Sequence, residues 1–188
     1  MGKAVLMSIQ PKWIEKIASG EKTIEVRKSL PKLETPFKVY IYCTKEKRKD
    51  DFITISGAFG LIRCPECAIY NRAKEYDGNG KVIGEFVCDR IDEFIPTDHG
   101  VKCKRFTALH ETRLTVKEMR EYLQEKTGYG WHISDLKIYD KPKELSEFFH
   151  ACKQPNGTDC SKCIDRKEKT CYSLKRPPQS WCYVEQEK

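Results

Sequence analysis

Apolar and polar positions change their spacing several times along the chain, and each change predicts an element. Residues 3–9, KAVLMSI, form a short apolar run that reads as a strand. Pro11 then stands where a first helical turn tolerates a residue without an N–H. Trp13, Ile14, Ile17 and Ala18 recur at helical spacing, and Gly20 suits a helix end. From Thr23 the period becomes two. Ile24 and Val26 are predicted to face a core while Thr23, Glu25 and Arg27 share the opposite face, with Lys22 at the turn that feeds the strand.

The rest of the chain predicts mostly sheet. FKVYIYCT (37–44) is rich in aromatic and branched residues and reads as a strand, followed by the basic loop KEKRKDD. Residues 53–63 and 82–95 continue the strand pattern on either side of the turn-forming KEYDGNGK. Thr115 and Glu118 have capping-box spacing, which predicts a helix through Val116, Met119, Tyr122 and Leu123 that stops near Gly128. WHISDLKIYD resumes strand-like alternation. Pro142 is expected to open a short helix through Leu145, Phe148 and Phe149, and QSWCYVE to form a final strand. Several short strands and two main helices predict an α+β fold built on a small curled sheet or barrel.

Composition narrows the classes of function. With 188 residues, 39% hydrophobic and 34% charged, the chain suits one folded domain with at most an appended module. No apolar run approaches the roughly 18 residues that span a bilayer, so no membrane role is expected. The opening MGKAVLMSIQP lacks the pattern of a signal peptide, and the expected location is the cytoplasm. A formal charge of +7 suits a polyanionic partner, although it is equally an ordinary solubilising charge.

In a reducing compartment the ten cysteines point to metal ligation rather than disulfides. Cys152, Cys160, Cys163 and Cys171 make a C-x7-C-x2-C-x7-C arrangement in a polar segment with little apolar material of its own. Four thiolates around tetrahedral zinc would supply its stability, and such a closed site would be structural. Four free thiols are the alternative, with His150 or Cys182 as substitute ligands. Cys64 and Cys67 form a second, weaker candidate pair that Cys88, Cys103 and His99 would have to complete through space; a redox dithiol or two reduced cysteines serve equally well. Cys43 and Cys182 read as small buried hydrophobes.

The densest charge lies in SGEKTIEVRK. A solvated strand face of salt bridges explains it without any ligand. Gly20, Lys22, Glu25 and Arg27 also spell G-x-K-x-x-E-x-R. That signature, with MSIQPKWIEKIAS before it and VYIYCT, GKVIGEFVCDRI and GWHISDLKIYDKPKEL after it, resembles the ASCH family, a branch of the PUA-like superfamily. The resemblance implies a PUA-like small β-barrel with flanking helices, to which the cysteine-rich C-terminal segment adds a zinc knuckle. Residues 1–150 would be the domain, with a C-x-x-C insert around 63–80, and 151–188 a cysteine-rich segment and final strand packed on it.

The resemblance further implies a cleft that faces RNA or a nucleotide. Lys22 and Arg27 would meet phosphate or a base edge, and Glu25 would orient them. Thr23, Tyr42, Thr44, Trp131 and His132 are further binding candidates, with Ser8, Gln10 and Tyr129 in the same flanking segments; aromatic rings there would stack on a base, or else belong to the core. Members of the superfamily also include amidohydrolases acting on acetylcytidine and a ribonuclease. In the amidohydrolase type a threonine nucleophile stands where this chain has Glu25. A hydrolase of a modified nucleoside or of RNA, with Lys22 and Glu25 as acid and base, is therefore the alternative function. A protein-interaction adaptor that uses the cysteine segment is a third, and no protein partner is indicated.

Overall fold

Residues 4–9 are buried without interruption because the sheet they join is covered on both faces. In the computed structural model, which describes residues 2–45, 54–56, 60–61, 76–151 and 173–186, strand β1 (Lys3–Ile9) sends Val5, Met7 and Ile9 into one apolar cluster and Ala4 and Leu6 into another. A strand buried on both sides loses its polar alternation, which explains the unbroken apolar run.

Helix α1 (Pro11–Ala18) follows, burying Ile14 and Ile17, and Gly20 ends the turn at φ +77°. Strand β2 (Ile24–Arg27) leads on to β3 (Phe37–Cys43), which pairs parallel with β1. Short strands β4 (Thr54–Ser56), β5 (Gly60–Leu61) and β6 (Tyr76–Asp77) make a separate small sheet. Strands β7 (Val82–Cys88), β8 (Ile91–Thr97) and β9 (Gly100–Lys102) come next, then helices α2 (Ala108–Glu111) and α3 (Val116–Leu123). The chain closes with β10 (Gly128–His132), β11 (Ser134–Lys143) and β12 (Trp181–Glu185).

The main sheet runs β11-β7-β3-β1-β12 and the second β2-β10-β8-β9. Consecutive strands β7 and β8 lie in different sheets, as do β10 and β11, so the chain turns a corner twice and ties the sheets together. This corrects the expected barrel. Closure requires the edge strands to pair, and among the described residues β11 and β12 remain edges of one sheet while β2 and β9 remain edges of the other. The fold is mixed α and β, mostly sheet.

Other differences have local causes. The apolar pattern over 82–95 breaks at Asp89–Arg90, where the chain changes sheets. WHISDLKIYD likewise splits at Ile133, and Asp135 takes a positive φ of 46° at the irregularity. Pro142 opens no α-helix: it lies inside β11, an edge strand where its missing N–H costs no ladder bond, and only a 3-10 turn, Leu145–Glu147, follows. The Thr115–Glu118 capping box forms as the spacing predicts, but α3 stops at Leu123, with Gln124 left-handed at φ 52° and Gly128 already opening β10. Helix α2 has no counterpart among the predicted elements.

Three apolar clusters hold these pieces together. One joins β1, α1, β3 and β7 to Trp131; a second covers the far face of the main sheet with Phe148 and Leu174; a third packs Ile24, Val26 and Phe94 against Met119 and Leu123 of α3. Gly130 sits at a close approach in the second sheet: a Cβ there would come within 2.5 Å of Phe94 and 2.7 Å of Ile24. Among the described residues no helix is long and apolar enough to cross a membrane.

Candidate functional site

Period-two alternation places Ile24 and Val26 against α3 and turns Glu25 and Arg27 to the other side of β2. That other side is not a solvated face. Lys22, Glu25 and Arg27 are only 1%, 6% and 8% exposed. Glu25 stands between two cations, with its Oε2 3.3 Å from Lys22 Nζ and its Oε1 3.0 Å from Arg27 Nη2. Backbone carbonyls complete the arrangement: Lys22 Nζ donates to Thr112 at 2.7 Å, and Arg27 Nη2 donates to Ser8 at 2.7 Å. One carboxylate cannot neutralise two buried cations, so the carbonyl oxygens supply the remaining negative character. Arg27 Nε is buried with no hydrogen-bond partner among the described residues. Burial pulls Lys22 below the usual lysine range, against the raising effect of Glu25.

These side chains floor a cavity of about 720 Å³, within the roughly 300–1,000 Å³ typical of ligand sites. The cavity lies beyond the carboxyl ends of the parallel strands β1 and β3, where Ser8, Gln10 and Thr44 line it. Strand ends are a recurrent place for ligands because the chain there leaves the sheet and its polar groups face outward. Trp13 of α1 and Tyr122 of α3 supply aromatic surface, and Gln179 and Ser180 close the wall that precedes β12. Among the described residues the charges along the lining balance: Lys12, Lys22 and Arg27 stand with Glu25, Glu118 and Glu121.

The residues singled out in the sequence separate into groups. Lys22, Glu25, Arg27 and Thr44, with Ser8 and Gln10, meet at this cavity. Tyr42 lines a neighbouring cavity of about 380 Å³, which Thr44 also borders. Thr23 turns elsewhere, its hydroxyl 3.5 Å from the Glu111 carboxylate. Trp131 is fully buried in the core, edge-on to Phe37 at 5.3 Å and tilted against Trp181 at 5.7 Å, and Tyr129 packs beside it. His132 Nδ1 lies 2.5 Å from Asp89 Oδ1, and neither residue lines the cavity. Burial tends to raise Asp89, but the hydrogen bond and charge of His132 outweigh it and hold the carboxyl below its ordinary range.

The sequence reading missed Trp13 as a cavity residue because helical spacing marked it as core; it is half-buried, with Lys12, Lys16 and Lys22 within 5.5 Å of its ring centroid. Gln179 and Ser180 gave no signal at all. They reach the site only because β12 pairs antiparallel with β1.

Cys152, Cys160, Cys163, Cys171, Cys64 and Cys67 lie outside the described residues. Among the described residues no group of three or more potential ligands could hold a metal ion. Burial pushes the Cys88 thiol up to about 12 and the Cys182 thiol to about 11, so both stay protonated. Cys43 is buried as expected, and Cys182 is partly so.

A family model described as the ASCH domain matches residues 7–143. Among solved structures, ASCH from Zymomonas mobilis is similar at 16% identity and a TM-score of 0.51, over 97% of this chain and 88% of that one. A tyrosine-to-phenylalanine variant of that protein matches at 16% identity and 0.51, over 97% and 91%, and a serine-to-alanine variant at 15% and 0.52, over 97% and 89%. At such identity the likeness speaks for the fold. No curated protein matches the chain.

Proposed function

Because the chain belongs to the ASCH domain family, we propose that it is a cytoplasmic RNA- or nucleotide-binding protein whose cavity above Lys22, Glu25 and Arg27 receives the ligand. The observation that carries this reading is the buried triad at the cavity floor, with Arg27 Nε left without a partner. A chain that buries two cations on one carboxylate at the floor of a cavity keeps positive character there for an acceptor from outside. In this reading Arg27 donates to a base edge or phosphate, Glu25 sets its orientation, and Thr44 and Gln10 supply polar contacts. Trp13 and Tyr122 replace Trp131 as stacking candidates, because Trp131 is enclosed in the core.

The hydrolase alternative gains less support. Lys22 Nζ is already engaged by Glu25 and the Thr112 carbonyl, and Thr23, the hydroxyl nearest in sequence, bonds to Glu111. The spacing of Cys152, Cys160, Cys163 and Cys171 supports a structural zinc as a separate expectation; elemental analysis of purified protein should return one zinc per chain.

Titration of labelled short RNA and of nucleoside monophosphates, followed by fluorescence anisotropy at several salt concentrations, tests the binding role. Arg27→Lys keeps the charge and removes the Nε donor, and it should weaken binding at least tenfold while the protein remains folded by circular dichroism. Unchanged affinity in that folded variant would overturn the reading.

A further inference from the structure

The wall formed by residues 175–180 borders more than the deep cavity. Gln179 and Ser180 line the cavity above the triad, whereas Lys175 and Pro177 line the smaller one beside it. Thr44 lies at the junction and borders both. The wall is fixed in place: the Ser8 hydroxyl donates to the Pro178 carbonyl at 2.7 Å, and the Ser8 N–H donates to the Ser180 carbonyl at 2.9 Å. The two hollows are therefore successive stretches between one held segment and the end of β3.

Their charges differ. Among the described residues the deep cavity balances three cations against three carboxylates, while the smaller one is lined by Lys45 and Lys175 with no carboxylate. Glu144, which precedes the lining residue Leu145, is paired with Lys81 at 3.0 Å. Neither Lys45 nor Lys175 has an ion-pair partner among the described residues, and both are exposed. The Lys45 stem lies across Gly80, where a Cβ would come within 2.5 Å of it, so a side chain at that position would displace the lysine. Tyr42, 4% exposed, forms a firm base below.

A neutral, hydrogen-bonding hollow suits a base and ribose, and a purely cationic one suits a phosphodiester, for which lysine acts as a point charge. Resting on the binding role given above to the deep cavity, we propose that the two cavities form one groove for a single strand of RNA. One nucleoside occupies the deep cavity, and the phosphate and following nucleotide cross Thr44 to Lys45 and Lys175. The ligand is then a strand rather than a free nucleotide.

The test compares a nucleoside monophosphate, a tetranucleotide of RNA and its DNA counterpart with the parent protein, Arg27→Lys, and the double variant Lys45→Ala, Lys175→Ala, across a salt series. The parent should bind the RNA tetranucleotide at least tenfold more tightly than the monophosphate. The double variant should lose that gain, and its salt dependence should become shallower by about 0.7 in log–log slope for each phosphate contact removed. Monophosphate binding that Arg27→Lys abolishes, with no gain on lengthening, overturns the groove and leaves the binding role of the deep cavity intact. A tetranucleotide held equally well by Arg27→Lys and the parent overturns both. A gain that survives in the double variant overturns the part given to the lysines, and equal affinity for the DNA strand overturns the assignment to RNA.

Discussion

Two ionic networks meet at Thr23 and Glu111, and they use the same chemistry in opposite surroundings. The inner one, Lys22–Glu25–Arg27, has side chains only 2–9% exposed and one carboxylate for two cations. The outer one joins Arg90 and Arg105 to Asp92 and Glu111, with side chains 12–40% exposed and charges that match one for one. Arg105 bridges the two carboxylates, with Nη2 2.9 Å from Asp92 and Nη1 2.6 Å from Glu111.

The networks are connected. Thr23 donates its N–H to the Glu111 carbonyl and sets its hydroxyl near the Glu111 carboxylate, while Lys22 donates to the carbonyl of Thr112. The outer network thus fixes the short stretch whose Thr112 carbonyl holds Lys22 at the floor of the cavity. Water screens the outer charges, so their value lies in redundant geometry; the inner charges are screened little, so each depends on its partner.

The sharpest way to break this comparison is to remove the single inner carboxylate. Glu25→Ala leaves two buried cations uncompensated and should lower stability by about 3–5 kcal/mol in a denaturant melt. Glu111→Gln in the outer network should cost less, about 1–2 kcal/mol, because its pairs are partly screened and Asp92 still holds Arg105.

Acid sharpens the same contrast. The hydrogen bonds from Arg105, against the cost of burial, hold the Glu111 carboxyl down at about 2 rather than 4.5. A carboxyl depressed on folding contributes stability that is complete above its unfolded value and lost as pH falls towards its folded one. The parent should therefore weaken between roughly pH 4.5 and 2, and the loss over that window should be smaller in Glu111→Gln, as thermal melts at stepped pH would show. The smallest effect belongs to the fully solvated limit: Lys117 and Glu121 on α3 have side chains 85% and 65% exposed at 4.0 Å, and Lys117→Ala should change stability by no more than about 0.5 kcal/mol.

Much of this was visible along the chain where the physics is local. The stop at Gly20, the two faces of β2 and the Thr115–Glu118 cap each follow from a few neighbouring residues. The pairing of Glu25 with Arg27 also follows from spacing, since alternate residues of a strand share a face, whereas Lys22 joins them from the turn before the strand. Trp131 misled because period two gives a face and not an environment: it stands opposite Glu25 in the register of β2 and β10, yet its ring ends in the core. Pro142 misled because a proline that can start a helix also fits an edge strand, and only the position of β11 in its sheet distinguishes the two.

The sequence by itself determined which side chains could stand together on one strand and where α1 and α3 begin, because those relations depend on residues within one turn or one pleat. Only the tertiary structure decided that the charged face is buried, that the sheets meet at corners instead of closing, and that a segment some 170 residues from Ser8 returns to wall the cavity. Burial and long-range pairing arise from which strands find one another, and a local pattern carries no record of that partner.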